Sequence, residues 1–246
     1  MSKLPKAPLL EVLFELRWKI INDQDLKKNI YLYGELFSEL KDSYPNRESL
    51  VPPDFPLGAL INHPVHRYKA EPNGYPLVQV GPGILTLNVT DEKYFWPTFS
   101  GWVDELVGKF LTIFPFTEGE LISPSLIYLD FFPFDFKKDD VDKFINENFH
   151  ITYNQSFFKN KKISTNINLG FYYEIDEGNL SVTFQNGASK LTDKETRRGV
   201  ILQTRLDGKQ IIPKKKEIIS WLNNSHEICS TLFKELTKGK LYESFK

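Results

Sequence analysis

Two of the four histidines in this chain lie close enough in sequence to share a metal ion. His63 and His66 flank Pro64-Val65, so their imidazoles could supply two ligands to zinc or iron. Such a site needs further ligands, and the spacing offers no third one here. Pro64 and its proline-rich surroundings indicate a loop. We therefore predict two ordinary histidines and no metal site.

A histidine near the end of the chain has possible nucleophiles beside it. His226 follows Ser225 and lies three positions before Cys229, so a Ser-His or Cys-His pair is one interpretation. On one helix, adjacent side chains diverge by about 100°, and the pair at i+3 lacks an orienting carboxylate. Cys229 falls on the apolar face, where a free cysteine behaves as a small hydrophobe. We predict a histidine that is hydrogen-bonded at a helix interface, no catalytic residue and no cofactor.

Several carboxylates occur around position 135 and could bind a divalent cation for nuclease chemistry. Acidic residues that follow a strand and precede a helix are also what N-terminal capping requires. We prefer the capping interpretation, so metal-dependent chemistry is not expected. The residues concerned are Asp130, Asp135, Asp139 and Asp140, with Asp207 distant in sequence.

Cationic residues are densest in the second half of the chain, where neighbouring aromatic rings such as Phe157 and Phe158 could stack on bases. Short lysine runs are usually solvated surface, and acidic residues lie among these. Contact with nucleic acid is therefore kept as an alternative. The candidate contact residues are Lys161, Lys162, Arg197, Arg198, Lys214 and Lys215.

Composition excludes several classes of protein. The 246 residues carry 31 basic and 32 acidic side chains, a net charge of -1, so no global field draws the chain to nucleic acid or anionic lipid. One cysteine excludes an internal disulfide and fits a reducing compartment. No apolar run approaches the ~20 residues that a membrane span needs. We expect a cytoplasmic protein with neither signal peptide nor membrane anchor.

The elements that must position these residues are visible as periodic patterns. Alternating apolar residues over positions 8–20 predict a strand, and helical spacing predicts amphipathic helices ending near Tyr44 and Phe114. The proline-rich stretch 45–65 indicates a long irregular loop. Gly81-Pro82-Gly83 resembles a phosphate loop only superficially, because a strand follows it, and it predicts a hairpin turn.

The second half repeats the order of the first. An apolar run over 121–132, a short helix near Val141, strands within 163–206 and a long helix over 214–236 again give strand, helix, strands, helix. We predict an α+β fold whose two halves, 1–116 and 117–246, carry antiparallel sheets backed by helices, either separate or joined as one continuous sheet.

Aromatic residues crowd the start of the helix that closes the first half. Trp96, Phe99 and Trp102 fall within seven positions, whereas one helical face buries about half of its residues. Exposed aromatic surface marks interfaces. These three residues are therefore the candidate interface with a protein partner or a second copy.

Four segments resemble a sporadically distributed, functionally uncharacterised family of bacterial proteins. They are the opening Leu4-Pro5-Lys6-Ala7-Pro8-Leu9-Leu10-Glu11-Val12, the hairpin Gln79-Val80-Gly81-Pro82-Gly83, the aromatic helix after Tyr94, and the helix around His226. The resemblance implies a fold and no activity. The expected function is a non-enzymatic protein-interaction component, with the sporadic distribution pointing to a mobile-element or defence-associated system. The alternative is a nucleic-acid-binding module or an unrecognised nuclease.

Overall fold

The structure is a computed structural model that describes residues 4–52, 54–154, 164–192 and 195–246. The strands within these residues are β1 (Leu9–Trp18), β2 (Asn46–Ser49), β3 (His66–Lys69), β4 (Leu77–Gly81), β5 (Ile84–Thr90), β6 (Ile122–Pro133), β7 (Asn168–Ile175), β8 (Gly178–Thr192) and β9 (Glu195–Gly208). The helices are α1 (Asp23–Leu40), α2 (Trp96–Ile113), α3 (Val141–Asn148), α4 (Lys215–Thr237) and α5 (Lys240–Glu243), and short 3-10 turns lie at Leu57–Leu60 and Asp91–Lys93.

All nine strands form one antiparallel sheet in the order β2-β3-β4-β5-β1-β6-β9-β8-β7. The prediction of an α+β fold is confirmed, and its alternative of a continuous sheet is the one observed. Because β1 pairs with β6, strands from residues 1–116 lie on one side of this seam and strands from 117–246 on the other. The division into two domains stays a prediction.

The helices cover one face of the sheet. Period-2 alternation turns Val12, Phe14 and Leu16 of β1 to this face, where they are fully buried. Two hydrophobic clusters form there. The first lies beneath α1, α2 and the first part of α4, and the second beneath α3, α5 and the last turns of α4. The boundary between the two clusters crosses β6, because Leu126 belongs to the first and Phe132 to the second.

The opposite face carries paired charges. Arg17 donates to Glu15 at 2.7 Å, Arg205 lies 3.4 Å from the same carboxylate, and Arg205 also donates to Asp207 at 2.8 Å. Ser125 donates to Asp207 at 2.6 Å. Two arginines and two carboxylates of β1 and β9 are paired here, with Ser125 of β6 between them, so the middle of this face carries balanced charge.

The predicted hairpin is present. Gly81-Pro82-Gly83 joins β4 to β5, and Gly83 has a φ of +79°, a conformation that glycine adopts without steric cost. The prediction of a wholly irregular loop over 45–65 is wrong, because Asn46–Ser49 pairs with β3 as an edge strand. Among the described residues, no helix has both the length and the apolar composition for crossing a lipid bilayer.

Candidate functional site

A cavity of about 720 Å³ opens at the boundary between the two hydrophobic clusters, on the helix-covered face. Its floor is made by β6 and β9, and its sides by the start of α2 and the middle of α4. The segment before β1 and the end of the chain complete the wall, and they are joined by a hydrogen bond of 3.0 Å from the Lys6 amide to the Phe245 carbonyl. Most of its surface is apolar, as in small-molecule sites.

Asp130 lies on the floor of this cavity and is 5% exposed. It follows Tyr128 by two positions in β6, so both side chains point to the helix-covered face. Pairing with β1 is irregular here: Leu9 lies opposite Asp130 and Glu11 opposite Leu129, so Leu10 is an extra residue in β1. Such bulges occur next to functional sites. Within the described residues, no hydrogen bond or ion pair reaches the Asp130 carboxylate.

Beside Asp130, three polar side chains form a hydrogen-bonded chain. The Tyr94 and Tyr128 hydroxyls are 3.2 Å apart, and the Tyr128 hydroxyl is 2.8 Å from Nδ1 of His226. With the imidazole proton on Nε2, Tyr94 donates to Tyr128 and Tyr128 donates to Nδ1. The Trp96 ring stacks on His226 with centroids 3.6 Å apart and planes 8° from parallel. The predicted hydrogen-bonded histidine at a helix interface is confirmed.

Burial controls the protonation of this site. It raises the pKa of Asp130 from 3.8 to about 7, and the negative charge of Asp91 adds to the effect. It lowers the pKa of His226 to about 4, assisted by the positive charges of Lys234 and of the N-terminal amino group. It raises the pKa of Cys229 to about 12. At neutral pH the imidazole and thiol are uncharged, whereas Asp130 exists in both forms.

Two further buried polar atoms occur in the cavity wall. Thr204 Oγ1 and His226 Nε2 have no hydrogen-bond partner among the described residues. Thr204 lies directly opposite Tyr128 in the sheet, so the polar groups form one cluster between apolar neighbours. Buried polar groups are normally hydrogen-bonded, and those left unpaired often have a functional explanation. The arrangement can bind an apolar molecule and hydrogen-bond to one polar end of it.

The cationic residues predicted to contact nucleic acid do not form one patch where they are described. Arg197 and Arg198 are exposed near the start of β9, whereas Lys214 and Lys215 lie beyond its end, at the start of α4. A strand of that length separates them by about 30 Å. Lys215 is also paired with Asp104 at 2.8 Å. The remaining two predicted residues, Lys161 and Lys162, lie outside the described residues.

The three aromatic residues predicted as an interface have different environments. Phe99 is fully buried in the first cluster, so its ring is not at the surface. Trp96 is partly buried against His226, and Trp102 is partly buried against the first cluster. The helical pattern predicted that some of these rings would be exposed. A large core built from both halves of the chain instead covers much of their surface.

The acidic residues are dispersed. Asp140 caps α3 by accepting from the amides of Asp142 and Lys143, which confirms the capping interpretation for this residue. Asp130 is not a cap, because it lies within β6, and Asp207 lies on the opposite face of the sheet. Within the described part of the chain, no group of three His, Cys, Asp or Glu side chains is placed to hold a metal ion.

Sequence reasoning missed the cavity because its polar residues are far apart along the chain, between positions 94 and 226. One signal was present: Leu126, Tyr128, Asp130 and Phe132 alternate with period 2, which places a carboxylate on a face that is otherwise apolar. Comparison with known proteins adds no family assignment. No protein-family model matches the chain, and no curated protein matches it significantly.

Proposed function

We propose that this protein is a non-enzymatic binding protein whose cavity takes a small organic molecule with an apolar body and one polar end. The observation that carries the proposal is Asp130, a carboxylate that is 5% exposed, lines a cavity of about 720 Å³ and has no partner among the described residues. An unpaired buried carboxylate costs several kcal/mol of solvation, and natural proteins retain such groups mainly at functional sites.

The apolar walls support the same proposal. Trp96, Phe233 and Tyr242 border the cavity together with proline and leucine side chains that precede β1. A volume of this size falls within the range of ligand sites, roughly 300 to 1,000 Å³. The ligand's apolar body would contact these rings, and its polar end would reach the floor.

The chemistry of the wall supports binding over covalent catalysis. The Cys229 thiol, with a pKa of about 12, is not a nucleophile at neutral pH. His226, with a pKa of about 4, is a weak base, and both of its neighbouring tyrosines are neutral. Asp130 can carry a proton, but the described residues supply no activated nucleophile beside it.

The test uses a cavity-filling substitution with a matched control on the same helix. Ser230 of α4 lines the cavity, whereas Ser220 of α4 is exposed and outside it. We expect the neutral fluorescent probe N-phenyl-1-naphthylamine to bind the wild type and the Ser220→Trp variant, and to bind the Ser230→Trp variant at least tenfold more weakly. Melting temperatures measured in parallel check folding. A wild type that does not bind the probe, or a folded Ser230→Trp variant that binds it normally, would contradict the proposal.

A protein partner is a second candidate function, favoured by the edge strand β7. Tyr172 and Tyr173 of this strand are 75% and 51% exposed, and edge strands offer unpaired backbone groups. We expect light scattering at micromolar concentration to detect self-association that a Tyr172→Ser/Tyr173→Ser variant loses and a Tyr31→Ser variant on α1 keeps. A wild type that is monomeric at every concentration would refute self-association. The mobile-element or defence setting and contact with nucleic acid remain predictions.

A further inference from the structure

We infer that the polar end of the ligand is a protonated amine, bound by Asp130 on the floor of the cavity with aromatic rings around it. This inference rests on the proposed function of the cavity. It adds the chemical class of the ligand, which neither the size nor the apolar lining of the cavity determines.

Acidic side chains set the sign of the charge at the floor of the cavity. Asp130 of β6 and Asp91 of the 3-10 turn before α2 both line the cavity, and each raises the energy of a second negative charge there. A ligand carboxylate would be repelled by ionised Asp130. An ammonium group would supply the positive charge that the buried carboxylate of Asp130 lacks, and it could donate up to three hydrogen bonds.

The lysines that border the cavity are not paired with this carboxylate. Lys234 and Lys246 also border the cavity, but neither forms an ion pair with Asp130. Lys246 is exposed, lies 2.7 Å from Glu243 and contacts the Tyr242 ring. Lys234 is partly exposed on α4. Neither lysine neutralises Asp130, and among the described residues no cation is paired with its carboxylate.

Aromatic rings form part of the cavity wall. Tyr94, Trp96 and Tyr128 surround the same part of the cavity, and their rings carry negative charge density on their faces. A cation within about 6 Å of such a face is attracted to it, more strongly when water is excluded. The Trp96 ring stacks on His226 and also borders the cavity.

The binding of an amine would couple to the ionisation of Asp130. The other charged or titratable groups around the cavity are Asp91, the two tyrosines, His226, Cys229 and two lysines, and the positive charge of the N-terminal amino group acts on His226. His226 has a pKa of about 4 and Cys229 one of about 12, and burial raises the pKa of both tyrosines, so these four stay neutral between pH 5.5 and 8. Asp130, with a pKa of about 7, changes its charge in this range. An ammonium ion would bind the ionised form, so its affinity should fall as pH falls below 7.

The experiment compares octylamine, octan-1-ol and octanoate by isothermal titration calorimetry on the full chain. At pH 8 we expect octylamine to bind at least tenfold more tightly than either of the others. At pH 5.5 its dissociation constant should rise about 30-fold, because the ionised fraction of Asp130 falls by that factor while the amine stays protonated. Asp130→Asn should remove the preference for the amine, while the same substitution at exposed Asp139 should keep it.

Each contrary result has a distinct meaning. If the alcohol binds as tightly as the amine at pH 8, or if the affinity of the amine is independent of pH, the inference is wrong while the proposed cavity function stands. Preferential binding of octanoate would also overturn it and would direct attention to Lys234. If the neutral probe and all three compounds fail to bind, both the inference and the proposed function fail. The pH series on the wild type keeps the test valid even if Asp130→Asn does not fold.

Discussion

Relative to the wild type, an Asp130→Asn variant should gain stability as pH rises, because the substitution removes a titrating carboxyl from the interior and keeps a polar side chain there. The wild-type carboxyl has a pKa of about 7 in the folded chain and 3.8 when unfolded. A group whose pKa is raised by folding binds more protons in the native state, so its contribution to stability is present below the unfolded pKa and is lost as pH rises toward 7. Asparagine has the same shape and does not titrate.

The expected size follows from the two pKa values. Each pKa unit between the folded and unfolded states corresponds to about 1.4 kcal/mol, and between pH 5 and pH 8 the carboxyl should lose about 2.5 kcal/mol of its contribution to the free energy of unfolding. Urea unfolding of the wild type and Asp130→Asn at both pH values measures this, because other titrating groups cancel in the difference between the two proteins. The stability of the variant relative to the wild type should rise by about that amount at pH 8. A difference that is the same at both pH values would refute the burial and charge assigned to Asp130.

Three further changes test other parts of the structure. Gly83→Val should lower the free energy of unfolding by about 1–3 kcal/mol, because Gly83 has a positive φ and the Trp18 carbonyl lies 2.8 Å from the position of the new Cβ. The control is Gly101→Ala in α2, which should be neutral or stabilising because the space around Gly101 is open. Tyr128→Phe should cost about 1–3 kcal/mol in urea unfolding, because Nδ1 of His226 loses its partner, and a smaller loss would argue against that hydrogen bond. A chelator should leave the melting temperature unchanged, since the described residues offer no metal-binding group of three, and stoichiometric metal in the purified protein would contradict this.

Local patterns predicted most of the elements because the physical cause of each is local. The alternation in β1 and the apolar stripe of α2 follow from which face meets the core, and the turn at Gly83 follows from backbone freedom. β2 was missed because Asn46–Ser49 has no apolar alternation, and β3 alone makes it a strand. α5 was missed because four residues are too few to show a period.

The cavity could not be predicted in the same way. Its polar chain joins Tyr94, Tyr128 and His226, which the sheet and α4 bring together from three distant segments. A single aspartate near a strand end is usually a helix cap, and only the pairing of β6 with β1 and β9 shows that Asp130 lies inside the sheet. Identification of the site required the order of the strands, which is a property of the whole chain.

The central position of β1 has a consequence for how the chain reaches this structure. Leu13 pairs with Asn88 and with Ile127, about 75 and 114 positions later in the chain. The strands of β3-β4-β5 and of β7-β8-β9 pair with neighbours close in sequence, so these two units can form early. The edges of β5 and β9 then stay unpaired until β1 and β6 are added to the sheet between them. High contact order of this kind slows folding, and the exposed apolar edges are open to wrong pairing in the meantime. The protein should therefore refold slowly, with a yield that falls as its concentration rises and that recovers when a chaperone is present.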